Sequence, residues 1–168
     1  MTQEVFPGRF TAGPEGDVTV FLIGMRANRW WKLGTVLRVV AEMPRMLRYL
    51  ESNPDAGLLG YHQWLGRTTI LVSYWQSAEH LTQFARAKDA PHLEPWKRFM
   101  KAVAGSGDVG VWHETYVVPV SRVESVYNGM PQFGLAKATS HVPVGGRTQR
   151  AASTAFRHSR RKARPASS

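Results

Sequence analysis

Any chemistry this sequence performs has to come from a few side chains. The titratable ones are His62, His80, His92, His113 and Glu114. Arg26 and Asn28 follow the first apolar run. Tyr74, Trp75, Phe84, Trp96 and Trp112 read either as walls of a pocket for a flat, apolar molecule or as ordinary core. An imidazole can move a proton near neutral pH, and it can hold iron. His92 stands just after Pro91, where a broken helix restarts. It reads as a general base or an axial haem ligand facing the space between helix and sheet, or else as a histidine packed at a helix start. His80 falls in the first turn of a helix, where a cation is disfavoured, and reads as a second possible ligand or as a surface histidine.

His113 and Glu114 are neighbours on a strand pattern, so they point to opposite faces and cannot pair with each other. His113 shares its face with valines, which suits a sheet interface. Glu114 shares its face with Trp112 and Tyr116, and reads as an acid of raised pKa or, preferred here, as the structural partner of a basic residue such as Arg26. No metal site follows from spacing: His80 and His92 are twelve residues apart with a proline between them, and no acidic ligand is suitably placed. Nor is there a nucleophile elbow, a zincin helix, a P-loop, or a Gly-rich turn between strand and helix.

The elements that must hold these residues follow from apolar periodicity. Asp17–Arg26 is a strand with apolar side chains on at least one face. Leu33–Ser52 changes to helical period, with Pro44 predicting a kink or two helices meeting near Met43. Leu58–Leu65 and Thr68–Trp75 read as a hairpin around Gly66-Arg67. In its second strand Ile70, Val72 and Tyr74 share one face, and Leu71, Ser73 and Trp75 the other. Ser77 caps a helix that breaks at Lys88-Asp89-Ala90-Pro91 and resumes over His92–Val103. Val109–Val118 is the last strand.

Strand, helix, hairpin, helix, strand is the split βαββαβ order of a ferredoxin-like α+β domain. With apolar residues on both sides of its strands, such a sheet is expected to pair with a second copy. The domain spans 17–118. Residues 1–16, rich in Pro and Gly, read as an irregular N-terminal arm; 119–139 as an extension packed on the sheet edge or on a second subunit; and 140–168 as a disordered basic tail.

Composition narrows the function classes. Of the net +10, seven charges (Arg147, Arg150, Arg157, Arg160, Arg161, Lys162, Arg164) belong to that tail, which leaves about +3 for residues 1–139. A nucleic-acid partner is therefore not expected beyond weak contact by the tail. The absence of cysteine excludes disulfides and thiolate chemistry and fits the cytoplasm. No apolar run approaches a membrane span, and the N-terminus lacks a secretory pattern, so no membrane partner is expected.

Three blocks, SYWQSAEHLTQFARAKDAPHLEPWKRF, GDVGVWHETY and ESVYNGMPQFGLAKA, resemble the monooxygenase-like DUF4188 group. That group belongs with the dimeric α+β barrels, which include antibiotic-biosynthesis monooxygenases, haem-degrading oxygenases and aldoxime dehydratases. The resemblance covers residues 6–138, and topology with the pattern W-x-S…H, beginning here at Trp75 and Ser77, connects it to the wider superfamily. It implies a ferredoxin-like homodimer with a pocket between sheet and helices for a small apolar or aromatic substrate. It also implies a cofactor-independent monooxygenase: a base deprotonates the substrate and the carbanion reduces O2. In that reading His92 is the base and Asn28 and Arg26 assist. Tyr74, Trp75, Phe84, Trp96, Trp112 and Glu114 contact substrate. The alternatives are a haem enzyme of the same fold, with His92 or His80 on the iron, and a dimeric ligand-binding module without turnover. The distance from Phe84 to His92 departs from the Trp–His spacing of haem-degrading members.

Overall fold

The computed structural model describes residues 3–29, 31, 34, 42–87 and 107–145. Along the chain these form β1 (Phe6–Ala12), β2 (Val18–Ala27), α1 (Glu42–Ser52), β3 (Leu58–Trp64), β4 (Thr68–Trp75), α2 (Ala78–Arg86), β5 (Val109–Val118), β6 (Tyr127–Met130), α3 (Gly134–Ala138) and β7 (His141–Pro143). The fold is α+β with two antiparallel sheets. The chain divides into two compact units, one of Gly16–Val118 and one made of the residues up to Glu15 with those from Pro119 onward.

The first unit holds a four-stranded sheet in the order β3-β4-β2-β5. β2 is central because it is the most apolar run. It pairs with β4 from Thr19↔Trp75 to Arg26↔Thr68, and with β5 from Val18↔Val118 to Ala27↔Val109. Residues directly opposite in an antiparallel ladder share a face. One face therefore carries Thr19, Phe21, Ile23 and Met25 with Leu71, Ser73, Trp75 and His113. The other carries Val20, Leu22 and Gly24 with Ile70, Val72, Tyr74, Trp112, Glu114, Tyr116, His62 and Trp64.

The helices cover the first of these faces. Trp75, Leu50 of α1 and Leu81 of α2 form its buried centre, with Phe21, Met46, Tyr49, Leu58 and Phe84 packed around them. Truncating a tryptophan so placed costs about 3–5 kcal/mol. α1 offers Met46, Leu47 and Leu50 at helical spacing, and α2 offers Leu81 and Phe84. Ser77 caps α2 as its position predicts: Oγ accepts the His80 N–H at 3.3 Å and lies 3.0 Å from His80 Nδ1. Gly57 closes the short turn Pro54–Ala56 at φ +83°, and a Cβ there would strike the His80 ring.

The second unit is a three-stranded sheet in the order β6-β1-β7. The N-terminal segment expected to be irregular thus contains a strand. Pro7-Gly8, which reads as loop chemistry, sits in the register shift between Phe6 and Arg9, with Gly8 at φ +93°. The extension after Val118 supplies β6 and α3 to this sheet. The segment expected to be a tail from residue 140 begins with β7, because His141 stacks on Phe10 with ring centroids 4.1 Å apart and meets Phe6 edge-on at 5.0 Å. Ser125 Oγ accepts the Ala12 N–H at 2.9 Å, and Ser140 Oγ donates to Gly13 O at 2.9 Å.

Pro44 lies within α1, and its carbonyl accepts Arg48 Nε–H at 3.3 Å. The expected helix before Glu42, apart from Gly34, lies outside the described residues. So do the resumed helix from His92 and the remainder of the basic tail.

Candidate functional site

The register of the four-stranded sheet separates the residues expected to line one pocket. Trp75 and Phe84 pack together on the helix-covered face, ring centroids 5.5 Å apart, and Trp75 is 2% exposed. Tyr74, Trp112 and Glu114 belong to the opposite face, called open because, among the described residues, the core helices α1 and α2 pack on the other one. These five cannot wall a single cavity. Trp96 and His92 lie outside the described residues.

Trp75 is held by its neighbours as a core residue is. Its Nε1–H donates to Ser73 Oγ at 2.9 Å, and that hydroxyl donates to Phe21 O at 3.1 Å. On the open face, the Trp112 indole lies against Gly24. A Cβ at residue 24 would come within 2.7 Å of Trp112 Nε1 and would also strike Thr69 O. The gap that glycine leaves in the apolar side of β2 is thus the seat of Trp112.

Glu114 is not the partner of Arg26. Glu114 stands opposite Leu22, four residues along β2 from Arg26. Its Oε2 instead accepts the hydroxyl of Tyr116 at 2.7 Å, two residues along the same strand face. That bond and the carboxylate's charge raise the Tyr116 phenol above its ordinary range. Arg26 Nη1 donates to Thr68 Oγ1 at 2.9 Å on the neighbouring strand.

Asn28 is tied into the end of the sheet. Its backbone N–H donates to Asp108 O at 2.9 Å and its Nδ2 to Gly107 O at 3.2 Å. Beside it Arg29 Nη1 and Asp108 Oδ1 form an ion pair at 3.0 Å. These contacts fasten the chain after β2 to the chain before β5.

His113, expected in a sheet interface, is exposed in the single chain and shares the helix side of the sheet, with its ring 5.9 Å from Phe21. The signal was present in the alternation of β5, but only the register with Ile23 shows that this face is also the face of Trp75. Of the described residues, His113 combines a titratable group with a position on the helix side, where a base could meet a substrate lying over Phe21. His80 turns Nδ1 to its own cap. Among the described residues no cluster of three or more histidine, aspartate or glutamate side chains could hold a metal ion.

Residues 18–135 match the monooxygenase af470-like family. The chain belongs to that family. The match contains the whole four-stranded sheet and reaches β6 and the start of α3 in the second unit. A curated relative, monooxygenase af470 of Aspergillus fumigatus, is 25% identical over 124 residues, which is 67% of this chain and 43% of the relative. The chain therefore spans less than half the length of that relative. No solved structure matches it. Family and relative both carry the name monooxygenase, which agrees with the activity implied by the sequence resemblance. Among the described residues no helix is long and apolar enough to cross a membrane.

Proposed function

We propose that the chain is a monooxygenase acting on a small apolar or aromatic metabolite, with O2 as co-substrate and no bound cofactor. The observation that carries this is the family match over residues 18–135, which takes in every strand of the four-stranded sheet. The order β3-β4-β2-β5, with the helix-packed core on one face, supports a ferredoxin-like subunit of the dimeric α+β barrel kind, DUF4188 group included. Half-buried Val20, Leu22, Ile70 and Val72 on the open face support pairing of two sheets in a homodimer. The absence of a spanning helix among the described residues is compatible with a cytoplasmic enzyme.

The chemistry requires an acidic methylene on the substrate. A base removes one proton, and the carbanion passes electrons to O2, giving a carbon-bound hydroperoxide. Loss of water leaves a carbonyl, so one oxygen atom enters the product and the other leaves as water. The substrate supplies all four electrons that O2 takes up, as its methylene becomes the carbonyl. Imidazole suits the base: His92 is the residue expected in that role from the sequence, and His113, on the helix side of the sheet, is added here as a second candidate. Arg26 and Asn28 would meet the developing oxyanion with the N–H groups left over from the bonds that anchor them, Arg26 Nη1 to Thr68 Oγ1 and Asn28 Nδ2 to Gly107 O.

The test is turnover with isotopically labelled O2, using apolar compounds extracted from the purified protein and electron-rich aromatics with acidic methylenes. One labelled oxygen per product, without added flavin, nicotinamide or haem, is the expected result. Turnover that appears only after hemin is supplied, with a saturable Soret change, replaces this reading with the haem enzyme. Ligand retention with no O2 uptake replaces it with a binding module.

A further inference from the structure

One end of the four-stranded sheet gathers exposed apolar and cationic side chains. The tip of the β3–β4 hairpin presents Leu65 at 71% exposure and, at the end of β3, Trp64 at 44%. Trp31, four residues past the end of β2, is 62% exposed. Hydrogen bonds bring these segments to the same end: Ala27 N–H donates to Arg67 O at 2.9 Å, Arg67 Nε to Ala27 O at 3.2 Å, and Arg67 Nη2 to Asn28 O at 3.5 Å. Three guanidinium groups stand here, those of Arg26, Arg29 and Arg67. The carboxylate among the described residues at this end, Asp108, is only 9% exposed and is paired with Arg29. A guanidinium carries five N–H donors, more than these bonds occupy.

Exposed tryptophan and leucine rimmed by arginine suit the boundary between lipid headgroups and acyl chains, where the ring enters and the cation meets phosphate. We propose that this sheet end, Trp31 with the Trp64–Arg67 hairpin tip, docks peripherally on an anionic lipid surface. The charge balance selects that occupant over an uncharged apolar partner. Of the exposed apolar and cationic side chains at this end only Arg26 has a role in the proposed reaction; Trp31, Trp64, Leu65 and Arg67 have none, and the docking is tested on Leu65.

The experiment uses the full chain with phosphatidylcholine vesicles, with and without about one phosphatidylserine in three lipids. Co-sedimentation is measured, together with quenching of tryptophan emission by brominated acyl chains. The basic segment from Arg147 to Arg164 contains no tryptophan, so it can cause sedimentation but not quenching. The expected result is binding that favours the anionic vesicles, with emission quenched, and a drop of about tenfold in partition for Leu65→Glu. Sedimentation without quenching assigns the binding to the basic segment and overturns the proposal. Unchanged partition of Leu65→Glu overturns it as well. Absence of sedimentation does the same and leaves a protein partner for the patch.

Discussion

The indole N–H of Trp75 donates to the hydroxyl of Ser73 at 2.9 Å, and both residues are 2% exposed. The pair sits two residues apart on one strand face, so the largest core side chain has its polar atom satisfied without recruiting a helix. Ser73→Ala removes that acceptor while leaving the indole buried. Denaturant titration should show a loss of about 1–3 kcal/mol, the usual result of orphaning a buried donor. A loss near zero means the indole finds another acceptor.

Gly24→Ala tests the seat of Trp112. The new methyl meets both the indole and the Thr69 carbonyl, so the open face must spread. A destabilisation of about 1–3 kcal/mol is expected, with a change in tryptophan emission. Pairing Gly24→Ala with Trp112→Leu should recover part of it. No recovery would place the clash on the backbone alone.

Tyr61 on β3 donates to Glu51 Oε1 of α1 at 2.7 Å, and this bond, with burial and the carboxylate's charge, raises the phenol above its ordinary 10.0. A raised folded-state pKa adds stability that is complete below the unfolded value and is lost as pH rises through the folded one. Wild type should therefore lose stability above about pH 10 more steeply than Tyr61→Phe. Melting curves across the alkaline range read the difference, and parallel curves would show the bond to be inconsequential.

The Ser77 hydroxyl holds Glu79 below its ordinary 4.5, ahead of a backbone bond and the nearby His80. A depressed carboxylate adds stability present above the unfolded value and lost as pH falls through the folded one. Ser77→Ala should cost about 1 kcal/mol at neutral pH by removing the cap of α2. It should also flatten the acid limb of the stability curve, as melts at successive pH values would show.

For the proposed reaction, His113→Ala and His92→Ala separate the two imidazoles. The base should lower turnover by about 10²–10⁴-fold with substrate affinity little changed. The other histidine should leave turnover near wild type. Val72→Glu on the open face is expected to shift the sedimentation of the protein from dimer to monomer; a variant that remains dimeric places the interface elsewhere.

Much of the first unit was legible because its signals are local. Val109–Val118 appears as read, the hairpin differs by one residue, and Ser77 caps its helix. What one strand could not reveal is how its two faces align with those of its neighbours. Trp75 and Trp112 are both aromatic positions on apolar strands, and only the ladders through β2 put them on opposite sides. β7 has three residues, too few for any period to show, and is fixed by His141 stacking on a ring from the other end of the sequence.

That last arrangement bears on synthesis. β1 is made first, yet both strands that flank it lie more than a hundred residues downstream, and Thr11 meets Ser125 across a separation of 114. On the ribosome Phe6 and Phe10 therefore wait with bare backbone edges while the four-stranded unit is completed. Slow, late closure of the smaller sheet is the result, and chains released early expose an edge ready to pair with one another.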